Sequence, residues 1–217
     1  MELKMENSKN RINWSEILKK YGVPTVLKDK LLRPYFEKVD VKESILDVGC
    51  GTGYFSGILC ARGYKVSGVD LNSQLESTDR FDFDQADFVS FETNKKFQTI
   101  LLINILTTVP FSDRIKILEK IKEIKTEEGI AYVVNTNADL VGTDFNSESL
   151  SSYRLADDKV RLKAKLVNGR SIEFDDYVIG REEMKEMCAM VGLYIVEIKD
   201  FQSEEIDKPI YEMYVLK

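Results

Sequence analysis

The feature that most constrains this 217-residue chain is the stretch ILDVGCGTGYFS at residues 45–56. A short apolar run ends on an acid and passes straight into G-x-G-x-G. YFSGILCAR then reads as a helix closed by Gly63. Glycine lacks a Cβ, so it enters positive φ freely and lets a ligand lie against the backbone. A strand, a glycine turn and a helix in that order place the ligand beside the helix N-terminus. A dinucleotide site asks for G-x-G-x-x-G, the third glycine permitting close helix packing. Gly49 and Gly51 fit, but the third glycine is Gly53, one position early, and Tyr54 stands where that pattern needs glycine. A nicotinamide dehydrogenase is therefore disfavoured. A purely structural turn is the remaining alternative.

Strand and helix patterns alternate around this stretch. YKVSGVD and FQTILLIN are strands, RIKILEKIKEI is a helix, and GIAYVVNTN is a further strand. Such alternation implies a mostly parallel sheet with helices on both faces. REEMKEMCAMVG is a late helix closed by Gly192. LYIVEIKDF and IYEMYVLK are two late strands that read as an antiparallel pair. Between about 138 and 180 the alternation breaks. KVRLKAKLVNGRSIEF holds two period-2 runs around Asn168-Gly169, which predicts a β-hairpin. Before the core, Trp14, Ile17, Leu18 and Tyr21 fall on one helical face, with Asn13 and Glu16 as a capping box and Gly22 and Pro24 as the stop. A second helix is predicted over about 25–38, interrupted at Pro34.

The predicted fold is thus α/β: a Rossmann-like, seven-stranded, mostly parallel sheet with helices on both faces and one antiparallel strand near the C-terminal edge. Residues 1–40 form an N-terminal helical lid. Residues 41–217 form the core domain, with a β-hairpin insert after the fifth strand.

Composition narrows the function. Hydrophobic residues make up 43%, enough for an ordinary core. The net charge of −6 makes nucleic acid an unlikely partner. No apolar run approaches 18 residues and no charged-then-apolar leader is present, so neither a membrane span nor a signal peptide is read. Cys50, Cys60 and Cys188 have no metal-ligand spacing and read as reduced thiols of a cytoplasmic protein. Histidine is absent, which removes the commonest general base and metal ligand.

LDVGCGTG resembles motif I of the class I S-adenosylmethionine-dependent methyltransferases, and the segments after it follow that family's order. VSGVDL ends on Asp70, which the resemblance makes the acceptor of both cofactor ribose hydroxyls. A carboxylate offers two acceptor oxygens to a vicinal diol. QADF supplies Asp87 and Phe88 at the adenine, and ILLINILTTVP places Asn104 and Ile105 at the methionine end. The cofactor set so implied is Asp47, Gly49, Cys50, Gly51, Gly53, Asp70, Leu71, Asp87, Phe88 and Asn104, with S-adenosylhomocysteine as product and no metal. Asp47 either bonds the amides of the loop or approaches the cofactor's amino group. The chain departs from the family in two places. Asp70 and Asp87 are too close for a full intervening helix, so Asp82 or Asp84 are alternatives to Asp87. Thr107-Thr108 stand where many relatives carry Glu-His.

The resemblance implies methyl transfer to a small-molecule acceptor by a monomer or homodimer. A non-catalytic cofactor-binding protein and a protein or RNA methyltransferase are the alternatives. The sulfonium donor is already activated, so much of the acceleration can come from alignment. A base is needed only if the acceptor must lose a proton. Asp139, Tyr153 and Tyr177 lie in or beside the insert as candidates, and the sequence singles out none of them. Trp14 and Tyr21 are expected to shield the cofactor. The hairpin is expected to wall the acceptor pocket, with a dimerisation arm as the alternative.

Overall fold

The computed structural model describes residues 25–72 and 75–217, so the expected Trp14–Tyr21 helix lies outside the described residues. The chain builds a seven-stranded sheet from β1 (Ile45–Val48), β2 (Val66–Asp70), β3 (Phe81–Gln85), β4 (Phe97–Ile103), β5 (Lys125–Thr136), β10 (Ile195–Gln202) and β11 (Pro209–Leu216), in the order β3-β2-β1-β4-β5-β11-β10. β11 runs antiparallel to both its neighbours, and the remaining pairings are parallel.

The central strands are apolar on both faces because both faces are covered. Ile45, Leu101, Ile103 and Val134 project to one side, into a cluster with Leu27, Leu32, Phe36, Phe55 and Leu59. Leu46, Val48, Ile100, Leu102 and Val133 project to the other. There they meet α3 (Phe111–Ile124) and α5 (Arg181–Val191), whose buried residues recur at helical spacing: Ile117, Leu118, Ile121 and Ile124 on α3, Met184, Met187, Cys188 and Val191 on α5. Gly192, in the left-handed region at φ 72, ends α5.

The first side carries α2 (Tyr54–Ala61), the short α4 (Ala138–Val141), the insert and the N-terminal segment. That segment stays helical through Pro34 rather than breaking there. Lys28–Leu32 widens into a π-turn and α1 (Arg33–Phe36) follows, with Pro34 in its first turn. Proline supplies no N–H, and the widened ladder just ahead of it is one way a helix absorbs that loss. Phe36 then packs edge-on against Phe55 of α2.

No helix joins β2 to β3 among the described residues, in line with the short spacing of Asp70 and Asp87. Two features differ from expectation. β3 is a short edge strand not read from the sequence, and its Asp82 and Asp84 face solvent. Exposed charges of this kind protect an open sheet edge. The insert is a four-stranded antiparallel sheet, β6 (Phe145–Asn146), β7 (Leu150–Ala156), β8 (Lys159–Lys165) and β9 (Ser171–Tyr177), not a lone hairpin. The β8–β9 hairpin is present, but its loop has three residues. Gly169 N donates to Leu166 O at 2.9 Å, Leu166 N to Arg170 O at 2.7 Å, and Gly169 alone in the loop has positive φ. This is a type I turn followed by a left-handed glycine, not a two-residue Asn-Gly turn. No helix among the described residues is long and apolar enough to cross a membrane.

Arg114 of α3 joins several of these parts. It is buried, donates from Nε to the carbonyls of Leu106 and Val109 at 3.1 and 3.0 Å, and pairs through Nη1 with Glu183 of α5 at 2.6 Å. Its guanidinium also lies 5.1 Å from the Tyr177 ring at the end of β9. Arg114→Met keeps the bulk but strips two buried carbonyls of their donor. The expected loss is about 2–4 kcal/mol of unfolding free energy, read from urea denaturation.

Candidate active site

The connections leaving the C-terminal ends of β1, β2 and β4 surround one cleft, the position in which open α/β sheets take ligands. The turn after β1 passes through Gly49, Gly51 and Gly53 at φ 66, 57 and 74. Gly49 N and Cys50 N both donate to Val69 O, at 2.7 and 3.3 Å, which moors the loop to β2. A Cβ on Gly49 would sit 2.1 Å from Ile105 Cδ1, so both the angle and the space demand glycine there. Gly53 N donates to Cys50 O at 2.9 Å, and Gly53 is the N-cap of α2.

Two acids flank this loop. Asp70, at the end of β2, accepts from Gly51 N at 3.0 Å through Oδ2 and from Asn72 N at 2.8 Å through Oδ1. Asp47, on β1, is buried and accepts from Ser56 Oγ at 2.6 Å, which ties the strand to the first turn of α2. Burial pushes its carboxyl up to about 6, against the pull of Ser56 and with a smaller push from Asp70. Burial likewise raises the Cys50 thiol, which leaves it protonated and inert. Across the cleft, Asn104 follows β4 at φ 55, a left-handed conformation that asparagine tolerates. Its Oδ1 is buried with no hydrogen-bond partner.

The far half of the cleft comes from outside the sheet's core strands. Leu162 and Ala164 of β8, Ile172, Phe174 and Asp176 of β9, and Leu150 of β7 line it. Thr25, Leu27 and Lys28 close it from the N-terminal side, and Tyr211 of β11 lies beneath, its hydroxyl 3.4 Å from Thr25 Oγ1. Thr25 also forms an antiparallel bridge with Leu166. Asp176 is 4% exposed and its Oδ1 has no hydrogen-bond partner. Burial pushes its carboxyl up to about 8, against the Thr107 hydroxyl beside it and the attraction of Lys28 and Arg114. Lys28 opens on the cleft but is ringed by protein, and burial draws its ammonium down to about 8.

Of the residues expected from sequence, Asp47, Gly49, Cys50, Gly51, Asp70 and Asn104 meet on this cleft. Gly53 supports it from the head of α2. Leu71, Asp87 and Phe88 are not among the lining residues. Leu71 is exposed beyond Asp70, and Phe88 is buried in the opposite core cluster, stacked on Phe91. Asp87 follows β3 and accepts from Val89 N at 3.1 Å. Asp82 pairs with Lys95 on the surface. The three base candidates stand elsewhere. Asp139 lines a separate surface groove, Tyr153 is exposed, and Tyr177 lies against Arg114 and Lys159. Sequence reasoning passed over Asp176 and Lys28. One signal was available for Asp176: in SIEFDDY, Ile172, Phe174 and Asp176 share a face, which sets an acid on an apolar stripe.

Comparison with known proteins agrees with this geometry. The model of a methyltransferase domain family matches residues 20–198. A ubiquinone biosynthesis O-methyltransferase of Actinobacillus pleuropneumoniae serotype 7 (strain AP76) is 25% identical over 174 residues, covering 73% of this chain and 69% of that protein. Among solved structures, an S-adenosylmethionine-dependent methyltransferase from Clostridium acetobutylicum ATCC 824 superposes with a TM-score of 0.62 at 16% identity, covering 96% of this chain and 92% of the other. A glycopeptide N-methyltransferase bound to S-adenosylmethionine gives 0.65 at 12%, covering 86% and 85%. The chain belongs to the methyltransferase domain family, and its fold is that of the class I S-adenosylmethionine-dependent enzymes. It is a methyltransferase. The residues present fit S-adenosylmethionine, the cofactor named for the neighbouring structures: a bare, left-handed backbone at the cleft, an acid at the end of β2 beside it, and an unpartnered buried amide oxygen opposite.

Gly49→Ala tests the loop. The left-handed angle costs an alanine about 1–2 kcal/mol, and displacing Ile105 adds about 1–3 kcal/mol. A fall of that combined size in chemical-denaturation stability is expected, together with loss of S-adenosylhomocysteine binding by calorimetry.

Proposed function

We propose that the protein transfers the methyl group of S-adenosylmethionine to a small, largely apolar molecule held between the glycine loop and the insert sheet. The observation that carries this reading is the continuity of the cleft: one cavity runs from Asp70 and Gly51 to the inner face of β8 and β9. Its far wall is Leu150, Leu162, Ala164, Leu166, Ile172 and Phe174, a surface suited to an apolar body and closed on the N-terminal side. That enclosure disfavours a macromolecular substrate and supports the small-molecule class.

Within this reading the cofactor lies against Gly49, Cys50 and Gly51, with Asp70 on the ribose hydroxyls and Asp47 and Asn104 toward the methionine end. Leu71, Asp87 and Phe88 stand outside the enclosed cleft, on the side of β2 and β3, where the adenine would project. Residues 1–40 act as a lid over the core domain 41–217, supported by the placement of Thr25, Leu27 and Lys28 on the cleft. The site of action is the cytoplasm, where three unpaired cysteines stay reduced.

Tritium from S-adenosyl-[methyl-³H]methionine incubated with protein and a cell extract should appear in the small-molecule fraction. Label confined to macromolecules would overturn the reading. Asp70→Ala removes two charge-assisted hydrogen bonds worth roughly 1–2 kcal/mol each. Affinity for S-adenosylhomocysteine should then fall roughly 30- to 1000-fold in a calorimetric titration. Replacing residues 157–176 with a short Gly-Ser linker should leave that affinity within a few-fold and abolish transfer to the extract. Surviving transfer together with a smaller particle on a sizing column would mark the insert as a dimerisation arm instead.

A further inference from the structure

The cofactor site makes no use of Asp176, and packing does not explain it. Its neighbour Asp175, on the opposite face of β9, is satisfied by Arg161 Nε at 2.7 Å and Nη2 at 3.2 Å. Asp176 points the other way, into the apolar stripe of Ile172 and Phe174, with a buried oxygen that accepts nothing. Burying a carboxyl with one oxygen left unbonded opposes folding even with Thr107, Lys28 and Arg114 nearby, so its place at this wall calls for a ligand. The groups facing it are Lys28 from the π-turn, Arg114 from α3, Tyr211 from β11, Thr107 from the turn after β4, and Asp175 beside it on the chain.

We propose that Asp176 accepts the proton of the methyl acceptor, and that this acceptor is an apolar molecule reacting through an acidic hydroxyl, with Lys28 stabilising the oxyanion. The inference rests on the reading of the cleft as the site of methyl transfer. The charge arrangement selects the reacting group. Lys28 on the cleft repels a protonated amine and attracts a developing oxygen anion. A carboxyl held near pH 8 by burial is matched to a hydroxyl of phenol-like acidity, near 10, far better than to an aliphatic alcohol. In the step itself, the acceptor's O–H bond breaks with its proton passing to Asp176 Oδ1. An electron pair of that oxygen forms the new bond to the sulfonium methyl carbon, and the C–S bonding pair returns to sulfur, leaving a neutral thioether and a methyl ether. The proton leaves Asp176 for water when product is exchanged.

The test uses 4-propylphenol and 3-phenylpropylamine as probe acceptors, with the full-length protein and its Asp176→Asn and Lys28→Met variants. Wild type is expected to bind 4-propylphenol when loaded with S-adenosylhomocysteine, and to methylate it with a bell-shaped pH profile that peaks at about 8, where Asp176 loses its proton and Lys28 begins to lose its own. Asp176→Asn should lower kcat ~100-fold or more and flatten that pH profile, while affinity for S-adenosylhomocysteine and 4-propylphenol changes by only a few-fold. Lys28→Met should weaken phenol transfer without favouring the phenol over the amine. A second readout needs no turnover. The folded protein holds Asp176 protonated to about pH 8, whereas the unfolded chain releases that proton near 3.9. Asp176 therefore costs wild type stability as pH rises from about 4 through about 8, a contribution that Asp176→Asn lacks. The Tm of the variant should exceed that of wild type by a margin that grows across that window and then levels. Unchanged kcat in Asp176→Asn, a Tm margin independent of pH, preference for the amine, or no turnover of 4-propylphenol by cofactor-loaded wild type would each overturn the proposal. Failure of wild type to bind S-adenosylhomocysteine would instead strike the underlying reading of the cleft.

Discussion

The cleft exists because the backbone from 49 to 53 can turn left-handed three times while staying bonded to the neighbouring strand. Two amides of the loop converge on Val69 O, and a third reaches the Asp70 carboxylate. Those bonds require β2 to lie beside β1 in parallel register, with Val48 opposite Val69. β4 pairs on the other side of β1, so the connections diverge at this point and leave the loop uncovered. Ile105, arriving after β4, comes so near Gly49 that a Cβ there would have to displace its Cδ1. Loop, strand order and the turn after β4 are therefore one constraint, and a change in any of them closes or distorts the site.

Much of this was legible in the sequence, because the core obeys local rules. Alternation of apolar strands and amphipathic helices is dictated by a sheet covered on both faces, and it gave β1, β2, β4, β5, α2, α3 and α5 close to their observed bounds. The glycine loop was legible because glycine at positive φ has no substitute. β3 was passed over although Phe81 and Phe83 alternate, because two exposed acids interleave them and the strand has only five residues. β6 and β7 were illegible for a different reason. Their inward residues include Ser152, whose hydroxyl bonds Thr143 O, so the buried stripe is partly polar and satisfied from across the insert. The loop at Gly169 shows the limit of dipeptide signals. Asn-Gly marks a hairpin correctly, but the flanking pairing, here Lys165 with Ser171, decides the loop length.

The site divides along the same line. Its cofactor half is made by core strands and their connections, where local rules apply. Its acceptor half is made where two segments distant in sequence meet, and no local pattern records that meeting. Thr25 bridges to Leu166 and approaches the Tyr211 hydroxyl, and Lys28 comes within reach of the charge on Asp176. The same juxtaposition explains why Asp139, Tyr153 and Tyr177 do not line the cleft. They are near the insert in sequence, but the pleat and the turn geometry direct them away from the cleft.

Division of this kind has an energetic consequence. Apart from Asn104 Oδ1, the cofactor half is built from satisfied groups: Asp47 on Ser56, Asp70 on two amides, the loop on Val69. The acceptor half adds Asp176 and its neighbour Thr107, each with a buried oxygen left unbonded, in an apolar setting that raises a carboxyl and lowers an ammonium toward the same pH. Charges placed so near neutrality change protonation easily, which suits proton handling and opposes stability. The fold tolerates this because the strain falls on an appended sheet and an N-terminal turn, outside the central strands of the seven-stranded sheet whose two faces carry the apolar core. Acceptor chemistry can therefore be altered by residues of the insert without disturbing the loop that holds the methyl donor.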